Sequence, residues 1–371
     1  MKKVLFVTNI PSPYRVDFYN ELGKYVELTV IFEAEGADGI SFNYRQKSKN
    51  FKSIFLKRGA IEENKVSFQI IKELTKDDYD FIFLTNYSYR TELVGYLSCI
   101  FRKIPFILEV DGGSIPKNEM FLKYNFKKFL LTKPQYYFSP SKTSDDFLVH
   151  YGANRENIFR YSFTSLLEKD IVEAVPTEED RKNLKVRLGL DPNKEIVLFV
   201  GRQIAIKGID TIIKAVKNLK NDVQCLIIGS SPDEKYKQYI LELVGDDSNF
   251  IFLDFMSSDR LGKYYQASDI FIFPTWGDVW GLVINEAMAA GLPIISSSAS
   301  VAAVELVRNN YNGYIVEEPK DWKSFQFYIE KILSNPKEKK IISQNSLKTI
   351  QQYTIEQMVK EHLNFMEGYS D

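Results

Sequence analysis

The chain has 371 residues, enough for two domains, and its 44% apolar and 26% charged residues exclude a disordered, collagen-like or coiled-coil protein. Its 48 basic and 49 acidic residues leave a net charge of −1, which gives no overall attraction to nucleic acid. Two cysteines (Cys99, Cys225) and two histidines (His150, His362) exclude a disulfide framework and a cysteine- or histidine-rich metal site.

The opening MKKVLFVTNIP ends its apolar run at Asn9 and then meets Pro11 and Pro13. A secretory signal would continue for roughly 7–15 apolar residues, so the run predicts a first strand and a cytoplasmic protein. No stretch approaches the roughly 18 apolar residues of a membrane span. Short apolar runs then alternate with segments of helical period. The predicted strands are 4–8, 28–32, 81–84, 106–109 and 136–138, and, in a second series, 196–200, 224–228, 250–253, 270–273, 293–296 and 313–316. Ser12 is placed to cap a first helix with Pro13 at its first position. Further helices are expected over 209–219, 260–267 and 281–290. Continuous apolar strands alternating with helices imply parallel sheets covered on both faces. The pattern pauses over the charged stretch 166–191, which sets the expected domains at 1–172 and 173–354, with a last helix over about 355–371 packing back on the first. The segment 1–175 carries a net charge of +3 and 176–371 a net charge of −4.

Two doubly wound domains place a ligand in a cleft facing the carboxyl ends of their strands. Neither a dinucleotide-binding glycine fingerprint nor a P-loop is present. The strand 196–200 instead runs into Gly201 and Arg202, with Lys207-Gly208 five residues on. These two cations over one small volume suit a diphosphate, gripped by a guanidinium fork and a point charge; the alternative is a pair of solvated loop cations. Further on, PTWGDVWGLVINEAMAAGLPII leads from a strand through a loop into a helix near Leu282, whose open amides favour an anion. Asp278 lies in that loop. Glu286 lies within the helix, among residues suited to burial, with a solvated helix face as the alternative.

VGRQIAIKGID and DVWGLVINEAMAAGLPII resemble the retaining glycosyltransferases of GT-B fold called group 1 or family four, and in particular bacterial surface-polysaccharide members. The resemblance covers most of 190–320. It extends more weakly over 1–172 through TNIPSPYRVDFYNEL and PFILEVDGG. It implies an α/β protein of GT-B fold, two doubly wound Rossmann-like domains facing a central cleft. It also implies a hexosyl- or N-acetylhexosaminyl-transferase that uses a nucleotide-diphospho-sugar as co-substrate, with UDP the expected nucleotide and GDP the alternative. By resemblance Arg202 and Lys207 hold the diphosphate, Glu286 the ribose and Asp278 the transferred sugar, with Gly201 and the backbone of Gly281, Leu282 and Val283 also at the donor. Asp278 stands where the family usually has Glu, Trp280 where it has Phe, and Ile10-Pro11-Ser12-Pro13 where it often has glycines. The acceptor side falls to the first domain. Glu109 and Asp111 are the candidates there, in place of the family's frequent His, with Tyr14, Arg15, Tyr89 and Arg90 as cleft residues.

Glu109-x-Asp111 has the look of a metal motif, yet GT-B transferases use cations and helix dipoles instead, so no metal is expected. The alternative functions are a GT-B sugar-nucleotide epimerase and a non-catalytic sugar-nucleotide-binding module. Residues 121–138 (FLKYNFKKFLLTKPQYYF) set Lys123, Lys127, Lys128 and Lys133 beside an apolar stripe at 122, 126, 129 and 130. Such a helix suits the surface of an anionic membrane, where a lipid-linked acceptor would lie; a core-packed helix with solvated lysines is the alternative. Peripheral attachment to the inner membrane face is expected on the first reading.

Overall fold

The structure is a computed structural model that describes residues 1–37, 40–41, 48–61, 65–75, 78–116, 118–220 and 222–369. The chain divides into two compact units, Met1–Ser165 with Tyr353–Asp371, and Leu166–Gln352. The division falls just before the composition break at 172. Val172 already belongs to the second unit, its N–H donating to the Ala289 carbonyl at 3.0 Å.

In chain order the first unit contains β1 (Lys3–Thr8), β2 (Glu27–Phe32), the two-residue antiparallel pair β3 (Gly36–Ala37) and β4 (Ile40–Ser41), then β5 (Lys52–Phe55), β6 (Phe81–Leu84), β7 (Ile107–Glu109), β8 (Tyr136–Ser139) and β9 (Ile158–Arg160). All but β3 and β4 form one parallel sheet in the order β5-β2-β1-β6-β7-β8-β9. The strand order reverses between β1 and β6, so a crevice opens at their carboxyl ends. Phe6 lies between Val30 and Phe83 in the register, and its ring stacks on Phe83 at 4.5 Å. Such cross-strand aromatic pairs fix register as well as burying area. The edge strands β5 and β9 carry no continuous apolar run and are partly exposed, which is why the apolar pattern missed them.

The second unit contains β10 (Glu195–Val200), β11 (Val223–Ile228), β12 (Phe250–Leu253), β13 (Ile270–Phe273), β14 (Ile294–Ser297) and β15 (Gly313–Val316), all parallel, in the order β12-β11-β10-β13-β14-β15. Val197, Leu198 and Phe199 are fully buried, as a strand covered by helices on both faces requires. At the amino end of β13, buried Asp269 accepts from Lys185 and the Ile196 N–H, each at 2.9 Å, and from Lys339 at 3.1 Å. It thereby ties helices Glu178–Arg187 and Pro336–Ile350 to the sheet, at the end away from the crevice.

Pro13 does open helix Pro13–Leu22, with Ser12 before it, but the Ser12 side chain makes no cap. Its carbonyl takes the Val16 N–H instead. Both units are doubly wound, and the fold is GT-B. Among the described residues no helix is long and apolar enough to cross a membrane.

Candidate functional site

In the second unit the chain leaves β10 at Gly201, and Arg202 follows, exposed. The Arg202 guanidinium makes no hydrogen bond or ion pair among the described residues. Lys207 ends a single 3-10 turn, Ala205–Lys207, and Gly208 begins helix Ile209–Lys217. Gly208 has φ +69°, and a Cβ there would stand 2.3 Å from the Pro274 carbonyl oxygen. Only glycine allows that approach, which sets Lys207 beside the loop after β13. Lys207 Nζ lies 2.5 Å from Asp278 Oδ2 and over the Phe273 ring at 5.4 Å.

The loop 274–281 is fixed mainly by backbone bonds. The Ile206 carbonyl accepts from the Trp276 N–H at 2.8 Å, and the Ala299 carbonyl from the Asp278 N–H at 3.1 Å. The Trp280 carbonyl accepts from Ser300 Oγ at 2.8 Å and from the Ala302 N–H at 2.9 Å. Trp280 is buried and its indole donates to Asn285 Oδ1 at 2.9 Å. A phenylalanine could not make that bond. Gly281 has φ +106°, and a Cβ there would press on Ser300 Oγ at 2.8 Å. Helix Leu282–Ala289 then begins with the Leu282 and Val283 amides at its open start. One turn in, Glu286 is half-buried and accepts from Tyr265 OH at 2.9 Å. Burial, then the Glu286 charge, raises the Tyr265 phenol well above its ordinary pKa and keeps it a donor. Lys207 and Asp278 thus meet beside the open start of the helix, an arrangement of cation and backbone amides that can hold an anion.

In the first unit a buried network joins Tyr14, Arg15, Glu109 and Asp111 at the crevice end of the sheet. The Arg15 guanidinium donates to Glu109 through one nitrogen and to Asp111 through the other. Tyr14 OH donates to Asp111 Oδ2 at 3.4 Å. Glu109 is wholly buried, and its other oxygen lies 3.0 Å from His362 Nε2. His362 Nδ1 lies 2.7 Å from the Met358 carbonyl, which can only accept, so Nδ1 carries a hydrogen. Burial alone would raise the Glu109 carboxyl, but Arg15 and then His362 outweigh it and hold it down at about 2. Asp111 moves the other way: burial raises it against the pull of Arg15. Burial and the Asp111 charge push Tyr14 up to about 12. Tyr89 and Arg90 stay outside this network. Tyr89 precedes helix Arg90–Arg102, and neither side chain has a hydrogen bond or ion pair among the described residues.

His362 and Tyr265 escaped the motif search. His362 carried a signal, since 358, 359, 362, 365 and 366 form the buried stripe of helix Ile355–Gly368. Among the described residues no group of three or more His, Cys, Asp or Glu is arranged to hold a metal ion.

Helix Phe121–Leu131 buries only Leu130 and Leu131. The apolar stripe read from the sequence therefore splits. Leu130 faces the core, while Phe121 and Leu122 are 78% and 75% exposed and Phe126 and Phe129 are also exposed. Lys127 pairs with Glu119 at 2.7 Å, leaving Lys123, Lys128 and Lys133 as the exposed lysines.

Residues 180–349 match the family Glycosyl transferases group 1. An uncharacterised glycosyltransferase of Methanocaldococcus jannaschii is 29% identical over 189 residues, 50% of this chain and 48% of that protein. A D-inositol 3-phosphate glycosyltransferase of Rhodococcus jostii is 29% identical over 208 residues, 53% of this chain and 44% of that protein. The chain thus spans about half the length of the curated relatives it matches. Whole-chain similarity comes from solved structures. Anabaena HepE in complex with UDP and glucose has a TM-score of 0.78 at 18% identity, covering 98% of this chain and 100% of that one. WaaG, a glycosyltransferase involved in lipopolysaccharide biosynthesis, has a TM-score of 0.70 at 15% identity, covering 98% and 100%.

Proposed function

Residues 180–349 match the group 1 glycosyltransferases and the fold is GT-B; from that premise we propose that the chain is a glycosyltransferase of that group, which moves a hexosyl or N-acetylhexosaminyl group from a UDP-sugar to a glycan or lipid-linked glycan, with retention, in polysaccharide assembly. The observation that carries this reading is the Lys207–Asp278 pair, held beside the open start of helix Leu282–Ala289. UDP is supported by HepE, which is crystallised with UDP, with UDP and glucose, and with UDP-glucose. Polysaccharide assembly is supported by WaaG.

Arg202, Lys207 and the Leu282 and Val283 amides hold the diphosphate, and Glu286 accepts from the ribose hydroxyls. When the donor arrives, Lys207 exchanges Asp278 for phosphate, and Asp278 turns to the sugar hydroxyls. The bond from the anomeric carbon to the diphosphate oxygen breaks. The acceptor oxygen bonds to that carbon on the same face, and its proton leaves with the diphosphate. Cations and amides already in place stabilise the developing charge, one such donor contributing roughly 2.7–4 kcal/mol. They take the part of a metal, so none is needed. In the first unit the Arg15–Asp111 network serves the acceptor. The exposed aromatics and lysines of Phe121–Leu131 rest on an anionic membrane carrying a lipid-linked acceptor.

A panel of UDP- and GDP-sugars, assayed for sugar release and for transfer with and without EDTA, tests the reading. Release of UDP from one UDP-sugar, unaffected by EDTA, is expected. Epimerised donor would point to the epimerase, and binding without turnover to the silent binding module.

A further inference from the structure

The Arg15 network does not account for every acidic group at the crevice end of the first unit. Glu92, in the first turn of helix Arg90–Arg102, is 3% exposed, and neither of its carboxyl oxygens has a hydrogen-bond partner among the described residues. Glu33, the residue after β2, is 2% exposed. One of its oxygens accepts from Lys57 Nζ at 2.8 Å, and the other, Oε2, has no partner among the described residues. Burial raises the Glu92 carboxyl well above the ordinary range, and the charges of Glu33 and then Asp111 add to this while Arg15 opposes it. Glu33 follows β2, Asp111 follows β7, and the helix of Glu92 follows β6. The acids thus come from strands on both sides of the β1/β6 reversal, where a doubly wound sheet receives its ligand.

Position 92 lies in the first turn of its helix, where a carboxylate is favoured, but on the face the helix buries. Residues 92, 95, 96 and 99 form one buried stripe of the helix, and Gly95, Tyr96 and Cys99 pack against the apolar core. A leucine at 92 would continue that stripe without stranding polar atoms. Buried polar groups without partners are few in native proteins, and they concentrate where a ligand supplies the missing bonds. Three such oxygens at one crevice call for hydrogen-bond donors. Arg15 is already taken by Glu109 and Asp111, so it is not free to neutralise a further anion.

We propose that Glu92 and Glu33 form a polyol subsite that accepts hydrogen bonds from the hydroxyl or amino groups of a neutral or cationic acceptor sugar and rejects one bearing phosphate or carboxylate there. The subsite rests on the transferase reading and gives its acceptor a chemical class.

The test uses the full chain and three probes: methyl β-glucoside, methyl β-glucosaminide and glucose 6-phosphate. Binding is followed by saturation-transfer NMR, and ligand-free stability by thermal unfolding, for wild type, Glu92→Leu and Glu92→Gln. We expect the two neutral or amino probes to bind at least tenfold more tightly than the phosphate. Glu92→Leu should lose that binding and raise the ligand-free Tm by a few degrees, and Glu92→Gln should keep part of the binding. A lower Tm in both variants would make Glu92 a structural residue, and glucose 6-phosphate binding as well as the glucoside would remove the proposed selectivity. Either result overturns the proposal. UDP binding by the same wild-type sample judges the donor reading separately: its absence with the probe pattern intact counts against that reading alone.

Discussion

The two units place charge at the carboxyl ends of parallel sheets in opposite ways. The second unit fixes its loop through backbone bonds and leaves its charged groups half-open, with Lys207 and Asp278 only 13% and 24% exposed yet reachable and Arg202 exposed. The first unit buries its charges. Arg15, Glu109 and His362 are at most 2% exposed, and Glu109 takes its side-chain bonds from the other two. An open backbone cradle suits a ligand that brings its own dense charge, because the protein groups remain solvated until it arrives. A buried network is already neutralised, and it presents shape and hydrogen-bond direction instead.

The largest expected effect breaks the network of the first unit. His362→Leu removes one of the two partners of buried Glu109 and leaves one of its oxygens buried without a bond, which should cost about 3 kcal/mol; chemical denaturation showing a loss below about 1 kcal/mol would make the contact incidental. The pH dependence sharpens this. The folded Glu109 carboxyl is held at about 2, below its ordinary 4.5, so the folded state favours its ionised form. Its contribution, roughly 3 kcal/mol, is present above about pH 4.5 and lost as pH falls toward 2. Acid-unfolding curves of wild type and Glu109→Gln should differ in slope across that window.

Next comes the second unit. Lys207→Ala and Arg202→Ala should each lower turnover at least about 100-fold while leaving thermal stability near wild type. Near-normal turnover in both would remove the diphosphate assignment.

The same contrast explains what was legible in the sequence. The central strands of both sheets were, because a strand buried on both faces must be continuously apolar. Arg202, Lys207, Asp278 and Glu286 were, because a strand end, a loop and a helix start deliver them in short order. The ion pair between Lys207 and Asp278 was not, since it spans 71 residues and depends on Gly208 approaching Pro274. His362 and Glu109 lie 253 residues apart, and no local spacing joins them. Helix Phe121–Leu131 was legible as an element, but which of its apolar residues face the core is set by β8 and by helix Lys142–His150, not by its own period.

A smaller effect tests the surface of the first unit. Lys123, Lys128 and Lys133 changed together to glutamine should weaken binding to anionic vesicles by about 1 kcal/mol per lysine, and added salt should mimic the change. Flotation that recovers equal protein on neutral and anionic vesicles would leave the exposed aromatics without a membrane role.

The central claim is that the second unit is a UDP-sugar site whose ribose is held by Glu286. Calorimetric titration of UDP into wild type and Glu286→Ala tests it most directly. The account predicts saturable binding to the wild type, weakened at least about tenfold in the variant by loss of charge-assisted hydrogen bonds, in a variant that stays folded and loses only the roughly 1–3 kcal/mol of the stranded Tyr265 hydroxyl. Equal affinity in the two proteins, or no binding to the wild type, would contradict it.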